Sequence, residues 1–116
     1  MKDDYKNLTI GLVGPCTSGK SLLRTNLEAH GFRVKHIAQE HSYVKDMWKK
    51  IADPDVLTFL DVSYPKTIQR RKWDFQEMDY QEQLRRLAHA RQHADIYVNT
   101  DTLSPEEVLA QVLANL

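Results

Sequence analysis

The sequence has 116 residues, with 16 lysines and arginines against 16 aspartates and glutamates, so its formal net charge is zero. This length predicts one domain over residues 1–116, and the balanced charge argues against nucleic acid or a membrane surface as a partner. No apolar run approaches the roughly 20 residues of a membrane helix, and the polar start MKDDYKN is unlike a secretory signal. A single cysteine excludes an internal disulfide and indicates the reducing cytoplasm.

The strongest local signal lies near the start of the chain, where an apolar run over 8–13 precedes a loop and a predicted helix. The loop reads GPCTSGKS over 14–21, which is the pattern G-x-x-x-x-G-K-[ST] in the strand-to-helix setting that it requires. We call these residues the GKS loop. Gly14 and Gly19 allow successive backbone N–H groups to face a phosphate, and the helix start adds a positive partial charge.

This chemistry predicts a site for a nucleoside triphosphate, ATP or another, together with Mg²⁺. Lys20 can reach the β- and γ-phosphates, and the Ser21 hydroxyl can bind Mg²⁺. Cys16 is either a small side chain that fills the loop, which we favour, or a thiolate activated by Lys20 and the helix start. The predicted nucleotide contacts are Gly14, Pro15, Cys16, Thr17, Ser18, Gly19, Lys20, Ser21 and Leu22.

Between the GKS loop and residue 55, the pattern predicts a helix, a strand and a second helix. The first helix ends before Gly31, a favourable residue just beyond a helix C-terminus. A weakly alternating strand follows over 32–38, so Glu40 lies at its carboxyl end. Ser42 is placed to cap another helix, in which the apolar residues over 43–51 form one stripe.

The rest of the chain predicts two more strands and three helices. The apolar run 56–62 is typical of a strand that is covered on both faces, and a helix follows it. A break of mixed charge covers 73–79, a longer helix starts at Tyr80, and a short strand covers 96–99. The last helix has the clearest start: Ser104 and Glu107 can form a capping box, and Pro105 stands at the first helical position.

Four strands that alternate with helices predict an α/β fold. We expect three layers, α/β/α, around a short parallel sheet of about four strands. Right-handed crossovers place ligands at the carboxyl ends of such strands. The GKS loop, Glu40 and Asp61 should therefore lie at one edge of the sheet.

Four polar residues outside the GKS loop are candidates for the same site. Glu40 could orient Mg²⁺ through water or accept a proton from an acceptor hydroxyl, or it could be a solvated carboxylate at a strand end. Asp61 could join the metal shell or cap the turn at Ser63, and we favour the cap. Arg70 and Arg71 could neutralise charge on a transferred phosphoryl group, or they could form a solvated helix face.

With its GKS loop in this setting, the chain resembles P-loop NTPases, and several segments resemble their nucleoside and nucleotide kinase branch. Segment 54–63, PDVLTFLDVS, is similar to the strand that precedes the arginine-bearing lid helix of thymidylate-kinase-like enzymes. Arg70 and Arg71 stand where that family has lid arginines. Segments 91–100 and 103–108 are similar to the last strand and helix of dephospho-coenzyme-A and shikimate kinases. The resemblance implies a reduced, kinase-like P-loop fold.

Two functions of different classes follow. The first is a small kinase that transfers the γ-phosphoryl group of ATP to a nucleoside, a nucleotide or another small hydroxyl compound. Its catalytic residues would be Lys20, Glu40, Arg70 and Arg71, and its metal site would comprise Ser21, Glu40 and Asp61. The alternative is a regulatory or partner-binding module that binds nucleotide without transfer, because only about twenty residues, 32–52, stand where these kinases have a further strand and an acceptor-binding insert. The acceptor, the base and the oligomeric state stay open.

Overall fold

A parallel sheet organises the structure, a computed structural model that describes residues 8–71 and 74–116. Its strands are β1 (Thr9–Val13), β2 (Arg33–His36), β3 (Val56–Asp61) and β4 (Ile96–Asn99), in the spatial order β2-β1-β3-β4. Every neighbouring pair is parallel, and in the register Leu12 lies opposite both His36 and Thr58. The predicted α/β fold with a four-stranded parallel sheet is therefore confirmed.

In the described part of the chain, four α-helices and two short helical segments accompany the strands. The α-helices are α1 (Lys20–Ala29), α2 (Tyr64–Arg71), α3 (Glu77–His93) and α4 (Pro105–Ala114). A 3₁₀ segment covers Gln39–His41, and a π-helical segment covers Trp48–Ala52. None of the helices within 8–71 and 74–116 combines the length and the apolar character that crossing a membrane would require.

Two apolar clusters, one on each face of the sheet, form the core. On one face, α1 and α4 contribute Leu27 and Val112, which pack in one cluster with Leu12. On the other face, Leu87 of α3 belongs to a cluster with Phe59. The middle strands β1 and β3 are buried almost throughout because helices cover both of their faces, which explains their nearly continuous apolar sequences.

The helix ends that local sequence signals predict are found. Ser104 caps α4: its Oγ accepts from the Glu107 backbone N–H at 3.1 Å, and a Glu107 carboxylate oxygen accepts from the Ser104 N–H at 2.9 Å. Helix α1 ends at Ala29, and Gly31 has a φ of 91°, a left-handed conformation that glycine adopts without steric cost.

The helix predicted over 43–51 forms only in its second half, as the π-helical segment Trp48–Ala52, and the buried side chain of Gln39 gives the reason. Its Oε1 accepts from the Trp48 backbone N–H at 2.9 Å, and its Nε2 donates to the Val44 carbonyl at 2.8 Å. One amide side chain thus takes two backbone groups that a helix would pair internally. The predicted stripe is not buried as a unit, since Trp48 joins the core while Tyr43 is 87% exposed.

Helix α3 begins at Glu77, three residues before the predicted start. The Gln76 N–H donates to an Asp79 carboxylate oxygen at 3.3 Å, an arrangement missed because glutamine is not a usual N-cap residue. Within the predicted break over 73–79, Trp73 lies outside the described residues.

Candidate functional site

The GKS loop joins the end of β1 to the start of α1, at the edge where the carboxyl ends of the parallel strands meet. Its two glycines are required for different reasons. At Gly14 a Cβ would overlap the carbonyl oxygen of Leu60, so the absence of a side chain lets the loop approach β3. At Gly19 the φ is 101°, and a Cβ would meet no atom within 4 Å. Backbone conformation, and not space, therefore selects glycine at the second position.

A cavity of about 610 Å³ brings together most of the predicted site. It is lined by the loop and α1 residues 16–22 and by Glu40, Arg70 and Arg71. Glu40 reaches it because β2 pairs with β1 and the 3₁₀ segment follows β2. Gly14 and Pro15 do not line this cavity; their contribution is to the loop backbone.

Lys20 is folded back onto its own loop and onto Glu40. Its ammonium donates to the carbonyls of Gly14 and Pro15, the latter at 3.2 Å, and lies 2.6 Å from Glu40 Oε2. Both side chains are buried. The other carboxylate oxygen of Glu40, Oε1, is buried and has no hydrogen-bond partner.

Two loop hydroxyls are also buried without a partner, namely Thr17 Oγ1 and Ser18 Oγ. Both residues line the cavity, and Thr17 has a left-handed φ of 68°, which threonine adopts only at a cost. Buried polar groups in proteins are normally hydrogen-bonded. Unsatisfied hydroxyl donors beside an open cavity fit a ligand that carries acceptor oxygens, such as a phosphate.

Arg70 connects the GKS loop to the end of β4. Its guanidinium donates to the Thr17 carbonyl at 3.0 Å and to the Thr100 hydroxyl and carbonyl at 3.1 and 2.6 Å. On the far side of this bridge lies a second cavity of about 340 Å³, whose lining includes Leu22, Leu103 and Pro105.

Arg71 also lines the first cavity, and its guanidinium carbon lies 4.7 Å from the centre of the Phe75 ring. A cation in this position is attracted by the face of the ring. Both predicted arginines thus lie beside the GKS loop, but Arg70 is hydrogen-bonded to Thr17 and Thr100, whereas Arg71 contacts an aromatic ring.

Asp61 lies apart from the other candidates. It accepts from the Val62 N–H at 2.9 Å and from the Tyr97 hydroxyl, and Arg91 lies 3.9 Å away. The Ser63 N–H donates instead to Asp101 at 2.8 Å. Burial raises the pKa of Tyr97, and the hydrogen bond to Asp61 raises it further. Asp61 lines neither of the two cavities at the loop.

Three residues that the sequence did not indicate complete the surroundings of the loop. Gln83 of α3 accepts from the Cys16 N–H at 3.0 Å and donates to its sulfur at 3.1 Å. His41 Nε2 lies 3.8 Å from the same sulfur. His36 lines the cavity, and burial, followed by the charge of Lys20, lowers its pKa.

The sequence matches no known family model and no curated protein. Its function therefore has to be inferred from the residues of the site.

Proposed function

We propose that the chain binds a nucleoside triphosphate and Mg²⁺ at the GKS loop and transfers the γ-phosphoryl group to a small hydroxyl compound. One observation supports this proposal most strongly. Lys20, Ser21, Glu40, Arg70 and Arg71 line a single cavity next to the loop. A cation, a hydroxyl, a carboxylate and two guanidinium groups are the kinds of side chain on which phosphoryl transfer depends. On this proposal the α/β fold is a reduced form of the P-loop nucleotide kinase fold.

The loop supplies the phosphate contacts. The left-handed conformation of Gly19, the N–H groups at the start of α1 and the unpartnered hydroxyls of Thr17 and Ser18 fit a polyphosphate anion. Lys20 would exchange its contacts with the loop carbonyls for phosphate oxygens. The smaller cavity, of about 340 Å³, is lined by apolar residues such as Leu22 and Leu103 together with the polar residues Thr17, Ser18, Arg70 and Thr100. A mainly apolar site with a few polar groups suits a nucleobase.

Two residues would hold the metal ion. Ser21 offers a hydroxyl and Glu40 a carboxylate, and both border the cavity, whereas Asp61 is engaged by Tyr97 and is not part of this site. Mg²⁺ favours such oxygen ligands and supplies charge neutralisation to the phosphates when bound.

The remaining residues serve the transfer step. Arg70 and Arg71 neutralise charge on the phosphoryl group while its bond to the leaving diphosphate breaks and a bond to the acceptor oxygen forms. Where Glu40 holds the ion only through water, its Oε1, buried and without a donor, would accept the proton of the acceptor hydroxyl.

A nucleotide-binding module without transfer is the second candidate, and the segment over 42–55 favours it. This segment contains turns and a five-residue π-helical segment, so little chain is available to enclose an acceptor. Such a module would bind the same nucleotides and yield no acceptor-dependent product.

Isothermal titration with Mg²⁺ nucleotides, followed by a product screen over nucleosides, nucleotides and small hydroxyl metabolites, tests both functions. Lys20→Ala should lower the transfer rate by a factor on the order of 10²–10³. Lys50→Ala, which removes an exposed lysine paired with Asp46, is the matched control and should leave binding and transfer unchanged. Binding without any product would support the module. The absence of heat with every triphosphate, on folded protein, would contradict both functions.

A further inference from the structure

Three side chains with metal-binding atoms meet beside the GKS loop. The sulfur of Cys16, a carboxylate oxygen of Glu40 and a ring nitrogen of His41 all lie within 4.8 Å of one another. Ligands around a tetrahedral Zn²⁺, with bonds of about 2.0–2.3 Å, are separated by roughly 3.3–3.8 Å. The sulfur and His41 Nε2 are already 3.8 Å apart. A side-chain movement of about 1 Å would therefore bring the three ligands to coordination distance.

The carboxylate of Glu40 points to a ligand independently of this spacing. Glu40 is only 4% exposed. Lys20 engages its Oε2 at 2.6 Å, while its Oε1 is buried without a hydrogen-bond partner. A buried carboxylate oxygen that has lost water and gained no donor is unfavourable. A cation bound between Glu40, Cys16 and His41 would compensate for that loss.

Gln83 prepares the sulfur for coordination. Its Oε1 accepts from the Cys16 backbone N–H, and its Nε2 donates to the Cys16 sulfur at 3.1 Å. This pair of contacts fixes the main chain and the sulfur together. The donor to the sulfur also orients it, as outer contacts in metal sites generally do for the ligand atoms.

We propose that Cys16, Glu40 and His41 bind Zn²⁺ or a divalent transition-metal ion of similar chemistry. A set of one sulfur, one imidazole nitrogen and one carboxylate oxygen suits Zn²⁺, whereas Mg²⁺ prefers oxygen ligands alone. Three protein ligands leave a fourth position for water. The bound ion would tie the GKS loop to the segment after β2, and the Cys16 thiol would release its proton to solvent on binding. The site needs no nucleotide and shares Glu40 and the GKS-loop residue Cys16 with the proposed transfer site.

The test is a Zn²⁺ titration of the full, metal-free chain without nucleotide, by calorimetry and by competition with a chromogenic chelator. We expect one ion per chain and an affinity that falls by at least about tenfold in Cys16→Ser and in His41→Ala. His93→Ala is the matched control, because it removes one of two stacked α3 histidines, His89 and His93, whose ring centres lie 4.3 Å apart. Its affinity should equal that of the natural sequence, and excess Mg²⁺ should not displace the ion.

Substitution with Co²⁺ identifies the ligand atoms. A thiolate-to-cobalt charge-transfer band should be present in the natural sequence and absent in Cys16→Ser, with circular dichroism confirming that both are folded. Ser21→Ala, which removes a proposed Mg²⁺ ligand and none of the three Zn²⁺ ligands, should keep its Zn²⁺ affinity even where nucleotide binding is weakened, which separates this proposal from the proposed function. The proposal is overturned if no Zn²⁺ binds, if Cys16→Ser and His41→Ala bind as tightly as the natural sequence, or if affinity is lost in His93→Ala instead.

Discussion

Lys20 and Glu40 form a buried ion pair, and at the scale of single residues this pair has the largest expected effect on stability. Both side chains are more than nine-tenths buried. Glu40→Gln would leave the Lys20 ammonium buried without a countercharge. We therefore expect the free energy of unfolding, measured by urea titration, to fall by about 3–5 kcal/mol.

The exposed pair between Arg24 and Glu28 provides the comparison, since both of its side chains are 46% exposed. Glu28→Gln should cost less than about 1 kcal/mol because water screens the pair. The double change of Lys20→Met with Glu40→Leu should restore most of the stability lost in Glu40→Gln, because no unpaired charge is left behind. Equal losses in Glu40→Gln and Glu28→Gln would show that the buried pair is not formed in solution.

The two loop glycines should differ in their tolerance of alanine. Gly19→Ala meets no neighbouring atom and has only the left-handed φ to oppose it, which costs about 1–2 kcal/mol. Gly14→Ala places its Cβ against the backbone carbonyl of Leu60, which cannot move without disturbing β3. The loss of stability in Gly14→Ala should therefore exceed the roughly 1–3 kcal/mol of ordinary overpacking. Thermal unfolding of the two variants measures the order, and a larger loss for Gly19→Ala would contradict it.

The residues of the candidate site could be predicted from the sequence only where a motif or a strand end indicates them. The spacing of Gly14, Gly19, Lys20 and Ser21 carries its own chemistry, and Glu40 follows from the adjacency of β2 and β1. Gln83 could not be found in this way, because it lies 67 residues from Cys16 on a helix whose pattern indicates only packing. Contacts of this kind are created by the fold and leave no local signal.

At the scale of secondary-structure elements, Gln39 determines the conformation of the segment between β2 and β3. Its amide pairs with Val44, Trp48 and, at 3.3 Å, with the Arg86 carbonyl. Gln39→Ala would leave the buried Trp48 backbone N–H without a partner, at a cost of about 1–3 kcal/mol. We expect a matching fall in the free energy of unfolding and faster hydrogen exchange at the Trp48 amide. Gln81→Ala, at an exposed position of α3, should change neither quantity.

The Gln39 side chain also explains why some secondary-structure elements were predicted correctly and another was not. The strands over 56–62 and 96–99 and the cap at Ser104 depend on neighbouring residues, and the structure contains all three. The apolar stripe over 43–51 has equally good helical spacing, but hydrogen bonds from Gln39 prevent a regular α-helix over these residues, and spacing alone does not reveal such bonds. Hydrophobic periodicity therefore predicted elements correctly where no side chain competed for the backbone.

At the scale of the whole molecule, three titratable groups whose pKa values are shifted in the folded chain should limit the pH range of stability. Burial, then the charge of Lys20, lowers the pKa of His36. Burial raises the pKa of Tyr80 and of Tyr97, with Asp61 adding to both shifts. A group whose pKa differs between the folded and unfolded chain makes stability depend on pH. The lowered pKa of the histidine affects stability at the acid end of the pH range, and the raised pKa values of the tyrosines affect it at the alkaline end.

The signs follow from which state holds the proton more tightly. The unfolded chain protonates His36 more readily, so the stability that this residue contributes is complete above about pH 6.5 and is lost as the pH falls below it. The folded chain holds the tyrosine protons more tightly, so their contribution is complete below about pH 10 and is lost as the pH rises through their raised pKa values. The free energy of unfolding should therefore have a plateau between about pH 7 and 10.

Urea titrations at several pH values, on the natural sequence and on single variants, separate the acid limit of stability from the alkaline limit. His36→Asn should flatten the acid side, where protonation of carboxylates remains as a background, and Tyr97→Phe should flatten the alkaline side. His30→Asn, which changes an exposed histidine bonded to the Asn26 carbonyl, should leave both sides as they are. The assignment to His36 fails if its variant keeps the full acid slope, since the loss of stability would then belong to the carboxylates alone. Because His36 borders the cavity of the GKS loop, a flattened acid slope would also indicate that burial and the charge of Lys20 lower the pKa of this imidazole.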